Sequence, residues 1–386
     1  MALRKLRADQ LFDGHRLLEG SNVLITNEDG TIEEIVPAKD AGDDIQSLAG
    51  ILAPGFINCH CHLELSHLKG FIPEGTGLIE FVLKVVSERH FPEEQILLAI
   101  EKAEDEMLDN GIVAVGDICN NVLTIPQKLK GRIWYHNFIE ASGFNPAIAE
   151  QRFQRSLEFF REYAKYYSIP VASNSIVPHA PYSVADELWE KIIHFPGNQL
   201  LTIHNQETAA EDEWFQTKSG PMEKLYEKMN IDVSFFKATR KSSLQSWLSK
   251  FLPHQTVVLV HNVHSSEADI LFAQQTHPQL HWCLCPNANE YISRQMPDVN
   301  LLLKHDCSIV LGTDSLASNK QLSILSEIRL LKERFPQIGI EKLLQCATLN
   351  GAKALQMDSM LGSFEKGKKP GILLLDAGLN AVNRML

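Results

Sequence analysis

Eight short apolar runs alternate with longer amphipathic segments from residue 51 onward, and this rhythm constrains the fold more than any other feature of the chain. The runs are "ILAPGFINCH" at 51, "IVAVGDI" at 112, "RIWYHNFIE" at 132, "PVASNSIVP" at 170, "LLTIHN" at 200, "TVVLVHN" at 256, "LHWCLCP" at 280 and "CSIVLGTD" at 307. Between them, segments such as "AIAEQRFQRSLEFFREYAKYY" and "QLSILSEIRLLKERF" repeat their apolar residues at helical spacing. Eight such units predict an α/β protein with a closed (β/α)8 TIM barrel.

The two ends of the chain have a different pattern. Residues 1–50 contain short strand-like stretches, "NVLITN" and "TIEEIVPA", which turn sequences separate. After residue 356, "MLGSFEKGKKPGILLLDAG" is again rich in turns and strand-like. We therefore expect residues 1–50 and 357–386 to form a small all-β sandwich, and residues 51–356 to form the catalytic barrel.

Composition excludes several classes of protein. The 386 residues are 44% hydrophobic and 22% charged, which is typical of a globular protein, and no apolar run approaches the ~20 residues of a membrane span. The N-terminus lacks the apolar core of a secretory signal, and the seven cysteines are scattered, so we expect reduced thiols and a cytoplasmic location. With a net charge of −12 and no dense Lys/Arg cluster, nucleic acid is not an expected partner, whereas a homodimer is allowed.

Polar side chains follow the apolar part of nearly every predicted strand. These residues are His60, His62, Asp117, Glu140, His179, His204, Glu207, His261, Asn287 and Asp314. In a parallel barrel the carboxyl ends of the strands and the loops after them share one face, where active sites lie. Any single polar residue at such a place is as readily explained by contact with solvent, but the repeated choice of imidazole and carboxylate favours a site.

The stretch "INCHCH" at 57–62 places four metal-binding side chains in four consecutive positions. Because alternate residues of a strand point to opposite faces, His60 and His62 share one face, and Cys59 and Cys61 share the other. The sequence contains no second Cys-x-x-Cys motif that would complete a zinc-finger set. We interpret the histidines as metal ligands and the cysteines as small packing residues.

Two imidazoles do not complete a catalytic metal site, which needs one or two more protein ligands. His204 and Asp314, at the ends of the fifth and eighth predicted strands, are the natural additions. Three histidines and one aspartate suit a single divalent metal ion, Zn²⁺ in the first place, with Fe²⁺ as the alternative. A bridged two-metal variant would want a lysine in the fourth strand, and "PVASNSIVP" has none.

Three further residues are candidates for catalysis or binding. Glu207 follows His204 by three positions, which suits a proton carrier beside the metal, although an acidic residue at the start of a helix has the same sequence signature. His261 ends the sixth strand and would act on the attacking water together with Asp314. His179, at the fourth strand end, would bind substrate, although a lone strand-end histidine is more often structural.

Taken together, these motifs resemble the amidohydrolase superfamily. "PGFINCHCHLELS" resembles its first-strand HxH motif, "IHNQE" its fifth-strand HxxE, "LVHNVH" its sixth-strand histidine and "LGTDSLASN" its eighth-strand aspartate. With "PHAPYS" and "CPNAN", the set is similar to the branch of mononuclear aminohydrolases and chlorohydrolases. That branch includes deaminases of adenosine and S-adenosylhomocysteine, triazine hydrolases and aminodeoxyfutalosine deaminases, and "HLELS" and "ETAAEDEWF" resemble the last group most.

The resemblance implies a role for each site residue. The metal ligands would be His60, His62, His204 and Asp314, with Glu207 as proton shuttle and His261 as the residue that activates water. His179 is carried over as a substrate contact, and we expect Glu64, Asn287 and Ser315 to contact the substrate as well. Glu64 departs from the S-adenosylhomocysteine pattern, which usually continues the HxH motif with a less acidic stretch.

We therefore expect a hydrolytic deaminase of an amino-substituted purine, in particular an adenine nucleoside such as aminodeoxyfutalosine or S-adenosylhomocysteine. One alternative keeps the same residues and displaces chloride or an alkylamine from a triazine-type ring. A second hydrolyses a cyclic amide or an amino-acid amide. A third, of a different class, is an idle barrel that only binds a metabolite.

Overall fold

The computed structural model describes residues 3–166 and 174–386. In these residues the strands are β1 (Leu3–Arg7), β2 (Gln10–Phe12), β3 (Leu17–Glu19), β4 (Asn22–Asn27), β5 (Ile32–Pro37), β6 (Ile45–Ser47), β7 (Ile51–Pro54), β8 (Phe56–Cys61), β9 (Ile112–Cys119), β10 (Trp134–Ala141), β11 (Asn174–Pro178), β12 (Leu200–Asn205), β13 (Thr256–His261), β14 (Leu280–Leu284), β15 (Ile309–Leu311), β16 (Ile372–Leu375) and β17 (Val382–Arg384). The helices are α1 (Leu78–Glu88), α2 (Glu93–Asp109), α3 (Ile125–Lys128), α4 (Ala149–Tyr166), α5 (Asp186–Ile193), α6 (Ala209–Thr217), α7 (Met222–Lys228), α8 (Ser243–Trp247), α9 (Glu267–Thr276), α10 (Pro286–Ser293), α11 (Val299–Lys304), α12 (Ile324–Arg334), α13 (Ile340–Ala347) and α14 (Leu349–Ala354).

Strands from both ends of the chain form two small sheets. One has the order β5-β4-β1-β6, and the other has the order β17-β16-β7-β2-β3. In the second sheet, β16 from the C-terminal part pairs antiparallel with β7, which pairs in turn with β2. The C-terminal strand-like sequence therefore joins the N-terminal strands in one sheet.

The central strands form two parallel four-stranded sheets of order β11-β10-β9-β8 and β12-β13-β14-β15. Hydrogen bonds connect the sheets on both sides. At one side, the backbone N–H of His204 donates to the carbonyl of His179 at 3.0 Å. At the other, the N–H groups of Thr313 and Asp314 donate to the carbonyl of His60 at 3.1 and 3.0 Å. The C-terminal end of β11 thereby meets β12, and the end of β8 meets the end of β15.

The apolar run at 51 is two strands rather than the single strand that the sequence predicts. β7 pairs within a small sheet, whereas β8 pairs with β9 in a central sheet. Gly55 lies between them, and a Cβ atom there would come within 2.4 Å of Val113 and 2.6 Å of the Pro370 carbonyl. Only glycine permits this close passage of the chain between the two sheets.

The largest core lies around the central strands, as the apolar runs predict. Every residue of β9, β12 and β13 is buried, which is typical of strands covered on both faces.

The amphipathic segments before residue 167 and after residue 320 form α4 and α12, as expected. Residues 170–173 of the predicted fourth strand lie outside the described part of the chain. Among the described helices, none combines the length and the apolar character that crossing a membrane requires.

Candidate active site

His60, His62, His204 and Asp314 meet at the C-terminal ends of the central strands. His62 Nε2 lies 3.2 Å from His60 Nε2 and 3.4 Å from His204 Nε2. Oδ1 of Asp314 lies 3.5 Å from His60 Nε2 and 3.4 Å from His62 Nε2. The four donor atoms thus converge on one small volume. They come from three segments of the chain that lie more than a hundred residues apart in sequence.

These distances fit ligand atoms around one metal ion. Zinc–nitrogen bonds of about 2.0–2.1 Å place neighbouring ligand atoms of a tetrahedron about 3.3–3.4 Å apart. The ring of His204 is held for this purpose, because its Nδ1 lies 2.7 Å from the carbonyl of His179 and donates to it. Its Nε2 is therefore left with a lone pair, as a metal ligand requires.

The cysteines between these histidines face away from the cluster. Cys59 and Cys61 are fully buried and belong to the main hydrophobic core. Burial raises the pKa of both thiols well above the usual value, so neither is a ready thiolate ligand. The prediction that they pack while the histidines face the site is confirmed.

The loops at the site adopt left-handed backbone conformations. The φ angles are 45° at Gln206, 75° at His261, 59° at Asn262 and 56° at Asp314. Such conformations cost a non-glycine residue of order 1–3 kcal/mol each and persist where surrounding contacts fix them. Asn262 supplies such contacts, because its Nδ2 donates to the carbonyls of Leu259 and Cys283 at 2.8 and 3.1 Å.

A buried ion pair lies directly behind His62. Asp117 Oδ1 accepts a 2.8 Å hydrogen bond from the backbone N–H of Leu63, the residue that follows His62. Oδ2 of Asp117 lies 2.5 Å from Nζ of Lys128, and both side chains are fully buried. The pair therefore fixes the backbone that carries His62.

Glu207 and His261 face each other beside the cluster. Their Oε2 and Nε2 atoms are 3.7 Å apart, and the side chains are 7% and 1% exposed. Burial, with smaller contributions from Asp314 and Glu211, raises the pKa of Glu207 well above its usual value. Burial also lowers the pKa of His261 to about 4, although Asp314 opposes that shift. The pair thus combines a carboxyl group that keeps a proton with a neutral imidazole.

Asp314 is held as an anion between these histidines. Burial alone would raise the pKa of Asp314, but a hydrogen bond with His60 and the electrostatic influence of the neighbouring His62 and His261 rings lower it below the usual range. Its Oδ2 also accepts a hydrogen bond from the hydroxyl of Ser318. Asp314 is therefore ionised and suited to bind a cation.

A cavity of about 430 Å³ opens beside the cluster. Of the residues expected to contact substrate, His179, Glu64 and Ser315 line it, together with Glu207, His261 and Asp314. Glu64 accepts a 3.0 Å hydrogen bond from the backbone N–H of Asn120. Burial raises the pKa of Glu64 to about 7, against the opposing charge of Arg89. Apolar walls of the cavity come from helix α1 and from Phe144, Tyr182, Leu225, Tyr226, Met229 and Ile231.

Asn287 does not reach the cavity, contrary to the sequence-based expectation. Asn287 lies in the first turn of helix α10, and its Nδ2 lies 3.3 Å from Ser326 Oγ. Asn289, two positions later and on the other side of the helix, lies with its Nδ2 3.1 Å from His261 Nδ1. Asn289 therefore orients His261.

Two carboxylates at predicted strand ends were given no role by the sequence. Asp117 supports His62, and Glu140 lines the cavity near His204. Their position at strand ends was the signal that could have found them.

Comparisons with known proteins agree with this geometry. The family model described as the amidohydrolase family matches residues 51–385. An adenosine deaminase of Helicobacter pylori is 27% identical over 324 residues, which are 83% of this chain and 77% of that protein. A 5-methylthioadenosine/S-adenosylhomocysteine deaminase of Teredinibacter turnerae is 27% identical over 380 residues, 94% of this chain and 80% of that protein.

Among solved structures, Helicobacter pylori aminofutalosine deaminase in complex with methylthio-coformycin superposes with a TM-score of 0.81 at 23% identity, covering 97% of this chain and 92% of the other. This likeness shows a TIM-barrel-like fold with α/β content. The family model covers most of the chain and includes all four converging donor residues. This protein belongs to the amidohydrolase family.

Proposed function

We propose that the protein is a metal-dependent hydrolytic deaminase, which replaces the amino group of an amino-substituted purine with oxygen and releases ammonia. The observation that carries the proposal is the convergence of His60, His62, His204 and Asp314 next to the facing pair Glu207 and His261. Relatives named as deaminases of adenosine and of 5-methylthioadenosine/S-adenosylhomocysteine support the same reaction.

The proposed architecture is a closed (β/α)8 barrel over residues 55–356 with a β-sandwich from residues 1–54 and 357–386. The hydrogen bonds that connect the two central sheets on both sides support closure. The two small sheets support a sandwich, and because β7 pairs within one of them, the junction lies at Gly55.

His60, His62, His204 and Asp314 would hold one divalent ion, Zn²⁺ in preference to Fe²⁺, because three imidazoles and one carboxylate suit zinc. When bound, such an ion lowers the pKa of a coordinated water and so supplies a nucleophile at neutral pH. Burial keeps His62 neutral, since it lowers the pKa of this imidazole to about 3. A neutral ring is the form that binds a metal.

The chain's own acid and base are Glu207, His261 and Asp314. Glu207, whose raised pKa lets it carry a proton, would protonate the ring nitrogen next to the carbon that bears the amino group. Asp314 and the neutral His261 would take the proton that water releases. Burial of all three excludes bulk water from these transfers.

His179, Glu64 and Ser315, which line the cavity, are the proposed substrate contacts. A cavity of about 430 Å³ is in the range of cavities that enclose a whole small-molecule ligand, and it has room for more than the heterocycle. We therefore propose an adenine nucleoside with a 5′ substituent as substrate, such as aminodeoxyfutalosine or S-adenosylhomocysteine. Homodimer formation and a cytoplasmic location stay predictions.

Ammonia release tests the proposal directly. Metal-loaded protein is assayed against adenosine, 5′-methylthioadenosine, S-adenosylhomocysteine and aminodeoxyfutalosine, with guanine and triazines as outgroups. We expect turnover of at least one adenine nucleoside. Turnover of triazines alone, followed as release of chloride or alkylamine, would move the protein to the chlorohydrolase reaction, and no turnover with one metal bound per chain would favour an amide substrate.

Glu207→Gln tests the assignment of the proton carrier. We expect kcat to fall by at least about a hundredfold, since general acid–base catalysis contributes 10²–10⁴, while one metal ion per chain remains bound. Glu213→Gln, an exposed position on the following helix, is the matched control and should keep full activity. Loss of metal from Glu207→Gln would make Glu207 a ligand instead.

A further inference from the structure

Glu140 is a buried carboxylate that the proposed chemistry leaves unused. It lies near the end of β10, lines the cavity, and its side chain is only 6% exposed. No described residue donates a hydrogen bond to its buried Oε2. A buried, unsatisfied carboxylate oxygen is costly, so its presence on a cavity wall points to a ligand that supplies the donor.

That ligand is not a second metal ion. One ligand atom each from Glu140, His179 and His204 lies within 4.8 Å of the others, which is a spacing that a metal could span. However, Nδ1 of His204 donates to the carbonyl of His179 at 2.7 Å, and its Nε2 faces His62. His204 therefore has no lone pair left for a second site. Glu140 Oε2, 4.0 Å from His204 Nδ1, is also too far for a hydrogen bond to it.

His179 offers an acceptor next to Glu140. The hydroxyl of Ser183 donates to the carbonyl of Ala180 at 3.0 Å, so its oxygen accepts from Nδ1 of His179 at 2.7 Å. A tautomer with its proton on Nδ1 presents the lone pair of Nε2. Glu140 and His179 thus form a pair of neighbouring acceptors, and what they lack is donors.

We infer that Glu140 and His179 bind the vicinal 2′- and 3′-hydroxyl groups of the substrate's ribose. The inference rests on the proposed nucleoside deaminase function and names the part of the substrate that this wall recognises. A diol supplies two donors to two acceptors. Because Glu140 lies beside the ring of the metal ligand His204, the group it binds is one attached directly to the reacting heterocycle. An ammonium group at the end of a 5′ chain would lie farther from the metal ligands.

The test compares sugar analogues in wild-type protein and in Glu140→Gln. Adenosine and its 2′-deoxy, 3′-deoxy and 2′,3′-dideoxy analogues are assayed for kcat/KM of ammonia release with metal-loaded protein. We expect the wild type to lose about ten- to hundredfold on the dideoxy compound, as befits hydrogen bonds to a charged group. In Glu140→Gln that ratio should shrink at least several-fold, through slower turnover of adenosine and not faster turnover of the dideoxy compound.

Glu150→Gln is the matched control, because Glu150 follows β10 on helix α4 with a side chain that is 62% exposed. It should keep the wild-type ratio between adenosine and the dideoxy analogue. Metal content is measured for every variant, and Glu140→Gln should retain one ion per chain. Loss of the ion would show that Glu140 acts on the metal ligands, which would overturn the inference.

Three other results would also overturn it. An active wild type whose sugar ratio is unchanged in Glu140→Gln refutes ribose recognition and leaves the deaminase function intact. If Glu140→Gln keeps the wild-type ratio between adenosine and the dideoxy analogue but turns over S-adenosylhomocysteine more slowly than the wild type does, the carboxylate binds the ammonium group of that substrate. Inactivity of the wild type on every nucleoside refutes the proposed function itself, and the ribose assignment with it.

Discussion

Two buried carboxylates on neighbouring strands, Asp117 of β9 and Glu140 of β10, have opposite environments. Asp117 is paired with Lys128 at 2.5 Å inside the protein, and its other oxygen accepts from Leu63. Glu140 faces a cavity with a buried oxygen that no described residue contacts by a hydrogen bond. A buried charge that is paired within the protein is compatible with a stable fold. A buried charge on a cavity wall without a partner points to a ligand that supplies one.

The surroundings of Lys128 show how fully the first carboxylate is compensated. Its Nζ also lies 2.7 Å from Asn137 Oδ1, and 4.9 and 5.2 Å from the ring centroids of Tyr135 and Tyr163. These groups replace the water that an ammonium group loses on burial. The ion pair is therefore tied to several elements at once, and removal of one partner exposes the full cost of burying the other.

Of the substitutions at these two carboxylates and their partners, Lys128→Met should lower the free energy of unfolding most. The substitution leaves the carboxylate of Asp117 buried without its cation, which costs about 3–5 kcal/mol of unfolding free energy. Denaturant unfolding of the metal-free protein measures this loss. Lys130→Met is the control: its partner Glu101 is exposed, so the change should cost less than about 1 kcal/mol.

The double variant Asp117→Asn with Lys128→Met sharpens this test. Removal of both charges should restore a substantial part of the lost stability, because no unpaired ion remains. Equal losses in the single and double variants would mean that packing of the lysine side chain, and not charge, is what Lys128 contributes.

A smaller effect is expected on metal affinity. Asn at position 117 keeps an oxygen that can accept from the Leu63 N–H group, whereas Ala does not. In the Lys128→Met background, Asp117→Ala should therefore bind zinc about tenfold more weakly than Asp117→Asn, as is usual when the support of a metal ligand is removed. Competition with a chelator measures both dissociation constants. Equal affinities would show that the Leu63 hydrogen bond does not position His62.

Sequence pattern alone predicts much of this arrangement, because it depends on local periodicity. The strand period of two separates His60 and His62 from Cys59 and Cys61, and the runs of buried residues match the central strands. The split at Gly55 was not predictable, since it depends on Val113 and Pro370, which are distant in sequence.

The same limit explains the errors and gaps at the site. Asn287 and Asn289 are the same residue type two positions apart, but they lie on different sides of helix α10. Asn287 therefore contacts Ser326, whereas Asn289 contacts His261. Similarly, Asp117 and Glu140 are equivalent as strand-end acids. They differ because the short helix α3 places Lys128 against Asp117. The hydrophobic periodicity of the sequence does not predict that contact.

The smallest effect should be that of Glu140→Gln on stability. Because the carboxylate has a buried oxygen without a hydrogen bond, the isosteric amide removes a charge that the fold does not compensate. We expect the unfolding free energy at neutral pH to stay within about 1 kcal/mol of the wild type or to rise. Denaturant unfolding without substrate measures it, beside Lys128→Met under the same conditions.

A loss of stability as large as that of Lys128→Met would make Glu140 a structural group like Asp117. The distinction between a carboxylate with a partner inside the protein and one without would then fail. A neutral result combined with altered sugar selectivity would show that the charge at position 140 serves binding at the expense of stability.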